Sequence, residues 1–130
     1  MDELSARLAR LEPLRSKSKA EFDADPYLRD IVERNLEVSG QCVLDISHRL
    51  ISLAGGPRPR DYYEAILRLG ELAVLPPDFA AHLAPLAGFR NILVHAYLEV
   101  DWQEVYRNLQ QISDLSKFAE LVRDWLRREK

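Results

Sequence analysis

Residues 25–57 read DPYLRDIVERNLEVSGQCVLDISHRLISLAGGP, and the punctuation of this stretch decides the fold. Asp25 can accept hydrogen bonds from first-turn amides, and Pro26 suits the first helical position, where a missing N–H costs nothing. From there Leu28, Val32, Leu36, Val43, Ile46, Leu50 and Leu53 advance by threes, fours and one seven. That spacing is an apolar stripe along a helix of about seven turns. Gly55-Gly56 ends it and Pro57 bars its continuation. A helix this long with an apolar stripe must be covered by other elements.

Upstream, Leu4, Leu8 and Leu11 recur at helical spacing, and Pro13 disturbs the turn that follows. Ser18-Lys19-Ala20-Glu21 has the form of a capping box and starts a short helical turn. Downstream, residues 55–60 form a Gly/Pro-rich loop carrying Arg58 and Arg60. Asp61 with Glu64 can cap a helix whose Tyr62, Ile66 and Leu69 share a side; Gly70 weakens its end and Leu75-Pro76-Pro77 stops it. Pro77-Asp78 opens a helix through Phe79, Leu83, Leu86, Leu93 and Tyr97, with Pro85 predicting a kink or break near Ala84. Asp101 and Glu104 have capping spacing, and Val105, Leu109, Ile112, Ala119, Val122 and Leu126 keep one helical period to the C-terminus. No stretch alternates like a strand, and there are no repeats or low-complexity tracts. The expected fold is all-α: a single domain over residues 1–130, an up-and-down antiparallel bundle of four main helices plus an N-terminal one.

A chain of 130 residues is of single-domain length. One cysteine, Cys42, excludes an internal disulfide, and three histidines without an HExxH-like pair give no metal signature. The formal net charge of −3 argues against a broadly basic nucleic-acid binder but allows a local basic cleft. With no signal-like N-terminus and no apolar run approaching the ~18 residues of a membrane span, the expectation is a cytoplasmic chain without membrane contact.

Gly88-Phe89-Arg90-Asn91-Ile92-Leu93-Val94-His95-Ala96-Tyr97 is otherwise apolar, yet it holds an arginine, an asparagine, a histidine and a tyrosine. At about 100° per residue, Asn91 and His95 lie roughly 40° apart, Arg90 and Tyr97 roughly 20° apart, and Arg90 and His95 about 140° apart. One ideal helix does not aim Arg90 and His95 at a common point; a second copy across a two-fold interface can. The chemistry suits RNA cleavage. Histidine takes or returns a proton, arginine binds phosphate in bidentate fashion, asparagine orients, and RNA supplies the 2′-hydroxyl nucleophile. A buried hydrogen-bond network that fixes helix packing would use the same residues.

Residues 90–97 also match the Arg-x4-His-x-Tyr signature of HepT toxins, within the HEPN superfamily of helical ribonucleases. Gly88-Phe89 resembles that family's lead-in, and Glu33–Leu36 with Cys42–Ile51 resembles its long second helix. The resemblance runs from about Asp25 into the last helix, and the motif is fairly specific because its flanking pattern accompanies it. It implies a metal-independent endoribonuclease toxin with no cofactor, dimeric, with its cleft at the dimer interface. Arg90, His95 and Asn91 would be catalytic. Its partner would be a minimal nucleotidyltransferase antitoxin of the MNT type, able to transfer AMP from ATP onto the motif tyrosine, here Tyr97. The competing reading is a non-catalytic helical adaptor that binds or completes such a nucleotidyltransferase.

Elsewhere, Asp45 and His48 could contact each other or line the cleft beside His95, or be an ordinary helix-surface pair. Asn35 and Ser39 could face the same cleft. Cys42 reads as a small buried thiol and His82 as a surface residue without an acidic neighbour. Arg58 and Arg60 could reach RNA or the antitoxin, or simply be solvated. Arg123, Arg127, Arg128 and Lys130 suit the dipole of a last helix.

Overall fold

The long helix starts and stops where its punctuation places it. In the computed structural model, which describes residues 2–85 and 101–128, helix α3 spans Pro26–Ala54. The Asp25 carboxylate accepts from the Tyr27 and Leu28 amides at 3.1 and 3.2 Å. Gly55 closes the helix in the left-handed region at φ 77°, a conformation that costs glycine little. Of the predicted stripe, Leu28, Val32, Leu36, Val43 and Leu50 are buried and Ile46 is half-buried. Leu53 is not; it is 68% exposed because it sits in the last turn, where residues 52–58 all run out toward solvent. Leu44 and Ile51, off the stripe, are buried instead. α3 packs against helices on more than one side, so it buries a wider arc than a single stripe.

Six further α-helices complete the described residues: α1 (Asp2–Leu11), α2 (Lys19–Ala24), α4 (Tyr62–Glu71), α5 (Pro77–Leu83), α6 (Trp102–Gln110) and α7 (Ile112–Arg128). α1 lays Leu4, Leu8 and Leu11 onto α3, and Pro13 converts the following residues Glu12–Ser16 into a 3₁₀ turn. The capping box of α2 is complete. Ser18 Oγ accepts from the Glu21 amide at 3.1 Å, and Glu21 Oε1 accepts from the Ser18 amide at 3.2 Å. α5 ends at Leu83, directly before the predicted break at Ala84. Its expected continuation through Leu86, Leu93 and Tyr97 lies outside the described residues.

The final helix is two helices rather than one. α6 stops at Gln111 (φ −107°, ψ 14°) and α7 restarts at Ile112. Arg15 in the 3₁₀ turn donates to the Gln110 carbonyl at 3.1 Å, and Gln110 Nε2 donates to the Arg15 carbonyl at 3.1 Å. An outside donor thus takes a carbonyl at the end of α6, and each half adopts its own packing direction. Asp101 caps α6 as expected, accepting from the Gln103 and Glu104 amides. Glu104 does not reach back; it pairs with Arg107.

Gly70 has a role that its helix-weakening reputation hides. A Cβ there would lie 3.0 Å from Ala80 Cβ and 3.3 Å from Pro77 Cα, so glycine lets α4 and α5 touch. Neither neighbour is a flexible side-chain tip. Gly70→Ala gains about 0.8–1.0 kcal/mol of helix propensity but meets an overpacking cost of about 1–3 kcal/mol. The expected result is a net loss near ~1 kcal/mol, read as a lower urea midpoint at unchanged slope. An unchanged or raised midpoint would show that α5 can move aside freely.

Candidate functional site

Arg90, Asn91, His95 and Tyr97 lie outside the described residues. The candidate residues that can be placed are Asp45 and His48, and the outer face of α3 brings them to a groove beside the α3–α4 loop. They are not a bonded pair. Asp45 accepts from Gln41 Nε2 at 2.8 Å, one turn back on its own helix. The half-buried His48 ring stands edge-on to Tyr62, with centroids 5.4 Å apart and planes at 90°. Its Nε2 is buried with no hydrogen-bond partner among the described residues. A ring nitrogen left in that state is unfavourable unless something polar reaches it.

The loop that forms the groove's rim is braced. Pro59 is buried while Arg58 and Arg60 on either side of it are exposed, so one proline pins an otherwise solvated segment. Arg68 on α4 donates to the Pro57 carbonyl and to Glu64 Oε1, the latter at 2.7 Å. Glu64 Oε2 in turn accepts from the Arg60 amide and from Arg60 Nε, both at 2.9 Å. These bonds, Arg60's first and Arg68's after it, lower the Glu64 pKa from 4.5 to about 2. The folded form therefore keeps Glu64 ionised where the unfolded chain would protonate it. Its contribution is complete above 4.5 and fades as pH falls from there toward 2. Asp61 caps α4 by accepting from the Glu64 amide at 2.8 Å.

The groove has a volume of about 540 Å³ and is lined by Asp45, His48, Arg58, Pro59, Arg60, Asp61 and Tyr62. A smaller hollow of about 280 Å³ shares His48, Arg58 and Pro59 with it and adds Ile51, Ser52 and Gly56. Tyr62 is the lining residue that periodicity hides, because it scans as the first apolar position of α4. The one sequence signal was the Pro/Arg-rich loop before it.

Other candidates fall elsewhere. Asn35 and Ser39 do not face a cleft. Asn35 donates to the Ile31 carbonyl and accepts from Arg7 on α1, and Ser39 Oγ donates to the Asn35 carbonyl. Both are buried under α1, where polar side chains must be satisfied locally. Cys42 is half-buried, and burial pushes its thiol pKa up, away from nucleophilic duty. His82 is exposed as expected but does have an acidic neighbour: Asp114 Oδ2 on α7 lies 2.8 Å from its Nε2. Arg123 donates to the Ser5 hydroxyl and so ties α7 to α1, while Arg127 pairs with Asp124. Among the described residues no cluster of three or more His, Cys, Asp or Glu could hold a metal ion, and no helix is long and apolar enough to cross a membrane.

Comparison with known proteins gives the family. A family model described as "Ribonuclease HepT-like" matches residues 4–122. A tRNA nuclease HepT from Aphanizomenon flos-aquae is 34% identical over 76 residues, 58% of this chain and 52% of the relative, so the match spans about half of that protein. A relative from Archaeoglobus fulgidus, provisionally named an RNase, is 36% identical over 93 residues, 71% of this chain and 70% of its own length. The fold matches that of a tri-AMPylated Shewanella oneidensis HEPN toxin solved in complex with its MNT antitoxin. The TM-score is 0.81 at 20% identity, over 95% of this chain and 92% of that one. A toxin–antitoxin structure solved with AMP-PNP matches at TM-score 0.78 and 20% identity, over 93% and 92% of the two chains. The all-helical bundle and the match across residues 4–122 agree: this chain belongs to the ribonuclease HepT-like family.

Proposed function

We propose that this chain is the nuclease toxin of a HepT/MNT toxin–antitoxin pair, a metal-independent endoribonuclease acting as a homodimer. The observation that carries the proposal is the family match, which spans the Arg90–Tyr97 motif as well as the bundle. The nuclease names of two relatives, and the antitoxin complex in which a protein of the same fold was solved, support it.

In this reading His95 takes the proton of an RNA 2′-hydroxyl, and the freed oxygen attacks the adjacent phosphorus. The bond to the 5′-oxygen breaks, that oxygen leaves with a proton, and a 2′,3′-cyclic phosphate remains. The imidazole that takes the first proton can then return one to the departing oxygen. Arg90 holds the non-bridging oxygens as charge builds on them, and Asn91 orients the imidazole or the phosphate. The separation of about 140° that an ideal helix would give Arg90 and His95 is the physical reason for requiring a second copy.

The antitoxin is an MNT-type nucleotidyltransferase that moves AMP from ATP onto Tyr97, releasing pyrophosphate. On an ideal helix Tyr97 and Arg90 would lie about 20° apart, so the added phosphodiester would place an anion where the RNA phosphate binds.

Freshly purified, unmodified protein is expected to cleave RNA in the presence of EDTA. Protein co-expressed with its partner is expected to gain mass in steps of about 329 Da, one per AMP, and Tyr97→Phe to gain none. A parent that forms a tight complex with the nucleotidyltransferase but cleaves no RNA would replace the proposal with the adaptor reading. Continued mass gain by Tyr97→Phe would move the acceptor to another residue.

A further inference from the structure

We infer that the groove between α3, α4 and the 55–61 loop is a nucleobase subsite, which takes one base of the RNA strand through His48, Tyr62 and Arg58. The inference rests on the RNA reading above and adds to it a place where base identity is sensed.

Size and charge decide the ligand class. About 540 Å³ falls within the ~300–1,000 Å³ range of small-ligand sites. Two cations, Arg58 and Arg60, are offset by two carboxylates, Asp45 and Asp61. A phosphate subsite would need a positive excess, and this groove has none. A base edge needs donors and acceptors side by side with a flat apolar surface, and those are present. Asp45 offers acceptor oxygens and Arg58 a planar fork of donors. His48 Nε2, buried and unpartnered among the described residues, can donate or accept according to its tautomer. The perpendicular rings of His48 and Tyr62 form a corner against which a planar ring can pack.

The site is also pre-organised. Pro59 is buried beneath the loop, and Arg68 holds the Pro57 carbonyl from α4. Arg60 is occupied with Glu64, which leaves the exposed Arg58 guanidinium to meet a base. Little ordering is then left to be done on binding.

The test is a titration of the full-length, unmodified protein with adenosine, guanosine, cytidine, uridine and inorganic phosphate. It is followed through the imidazole proton resonances of the three histidines, with His48→Gln identifying the His48 signal. At least one nucleoside is expected to shift the His48 resonance saturably, phosphate is not, and Arg58→Ala is expected to weaken that nucleoside about tenfold. Arg58 is exposed on the loop, so the variant folds, which circular dichroism checks. In RNA cleavage the same variant is expected to change which bases flank the cuts and to slow cutting most at the sites the parent prefers. A His48 signal that responds to phosphate alone, to the antitoxin alone or to no probe overturns the subsite. If that happens in a protein that still cleaves RNA, the ribonuclease reading stands. Nucleoside binding at His48 in a protein that cleaves no RNA overturns the ribonuclease reading and keeps the subsite.

Discussion

His95→Ala is expected to slow RNA cleavage by about 10²–10⁴-fold, the usual contribution of a positioned general acid or base. The loss should appear in turnover more than in RNA affinity, because the imidazole acts on the proton in transit and not on the phosphate charge. Arg90→Ala should behave differently. It removes a bidentate phosphate contact, so affinity and turnover should fall together. Arg90→Lys should rescue only part of that loss, since an ammonium keeps the charge without the planar fork. In cells the parent is expected to arrest growth and both alanine variants to relieve that arrest. Mixing His95→Ala with Arg90→Ala is the sharper arm. If the site is shared across a two-fold interface, each heterodimer retains one intact histidine and one intact arginine, and some activity should return. Variants that cleave like the parent would remove His95 and Arg90 from the mechanism. Absence of any recovery on mixing would confine the site to one protomer.

The bundle was legible because its elements are delimited by local chemistry. Asp25-Pro26 and Gly55-Gly56-Pro57 bound α3, Ser18 and Glu21 start α2, and Asp61 and Asp101 cap α4 and α6. Each of these signals acts within a few residues, which is the range over which a sequence can be read without its fold. What was missed depends on residues far apart in the chain. The break at Gln111 has no glycine or proline to announce it; Arg15, 95 residues away, holds the Gln110 carbonyl. Asp114 finds His82 across 32 residues. Leu53 keeps the helical period but lies past the last turn that anything covers. The groove follows the same rule. Asp45 and His48 could be named from α3 alone, whereas their meeting with Arg58 and Tyr62 required the loop to fold back over α3. The Arg90–Tyr97 motif was named through its resemblance, and it lies outside the described residues.

Phe22→Ala is expected to cost about 3–5 kcal/mol, a large fraction of the ~5–15 kcal/mol that holds a domain together. The reason lies in how little else attaches α2. At six residues it is too short to persist alone, and Phe22 is its one buried residue. That ring is fully buried, edge-on to Trp102 at 6.4 Å and tilted against Tyr106 at 5.2 Å. The Arg29 guanidinium lies 5.2 Å from the Trp102 ring centre, and Tyr106 donates to the Lys17 carbonyl at 2.9 Å. One phenyl ring therefore joins α2 to the first turns of α6. Removing it leaves a cavity and frees the capping box of α2 from anything worth capping. Trp102 follows directly on Asp101, so loosening α6 reaches its N-cap as well as the core. The expected observations are a markedly lower urea midpoint and red-shifted tryptophan emission as Trp102 gains water. Phe22→Leu should recover most of the stability, since its side chain refills much of the space. Lys19→Ala is the control. It breaks only an exposed 2.7 Å pair with Asp23 on the same short helix and should change stability by less than about 1 kcal/mol. If Phe22→Ala matches Lys19→Ala in midpoint and emission, α2 is an ornament on the bundle. If it falls far below while Phe22→Leu does not, the six-residue helix anchors α6 to the bundle.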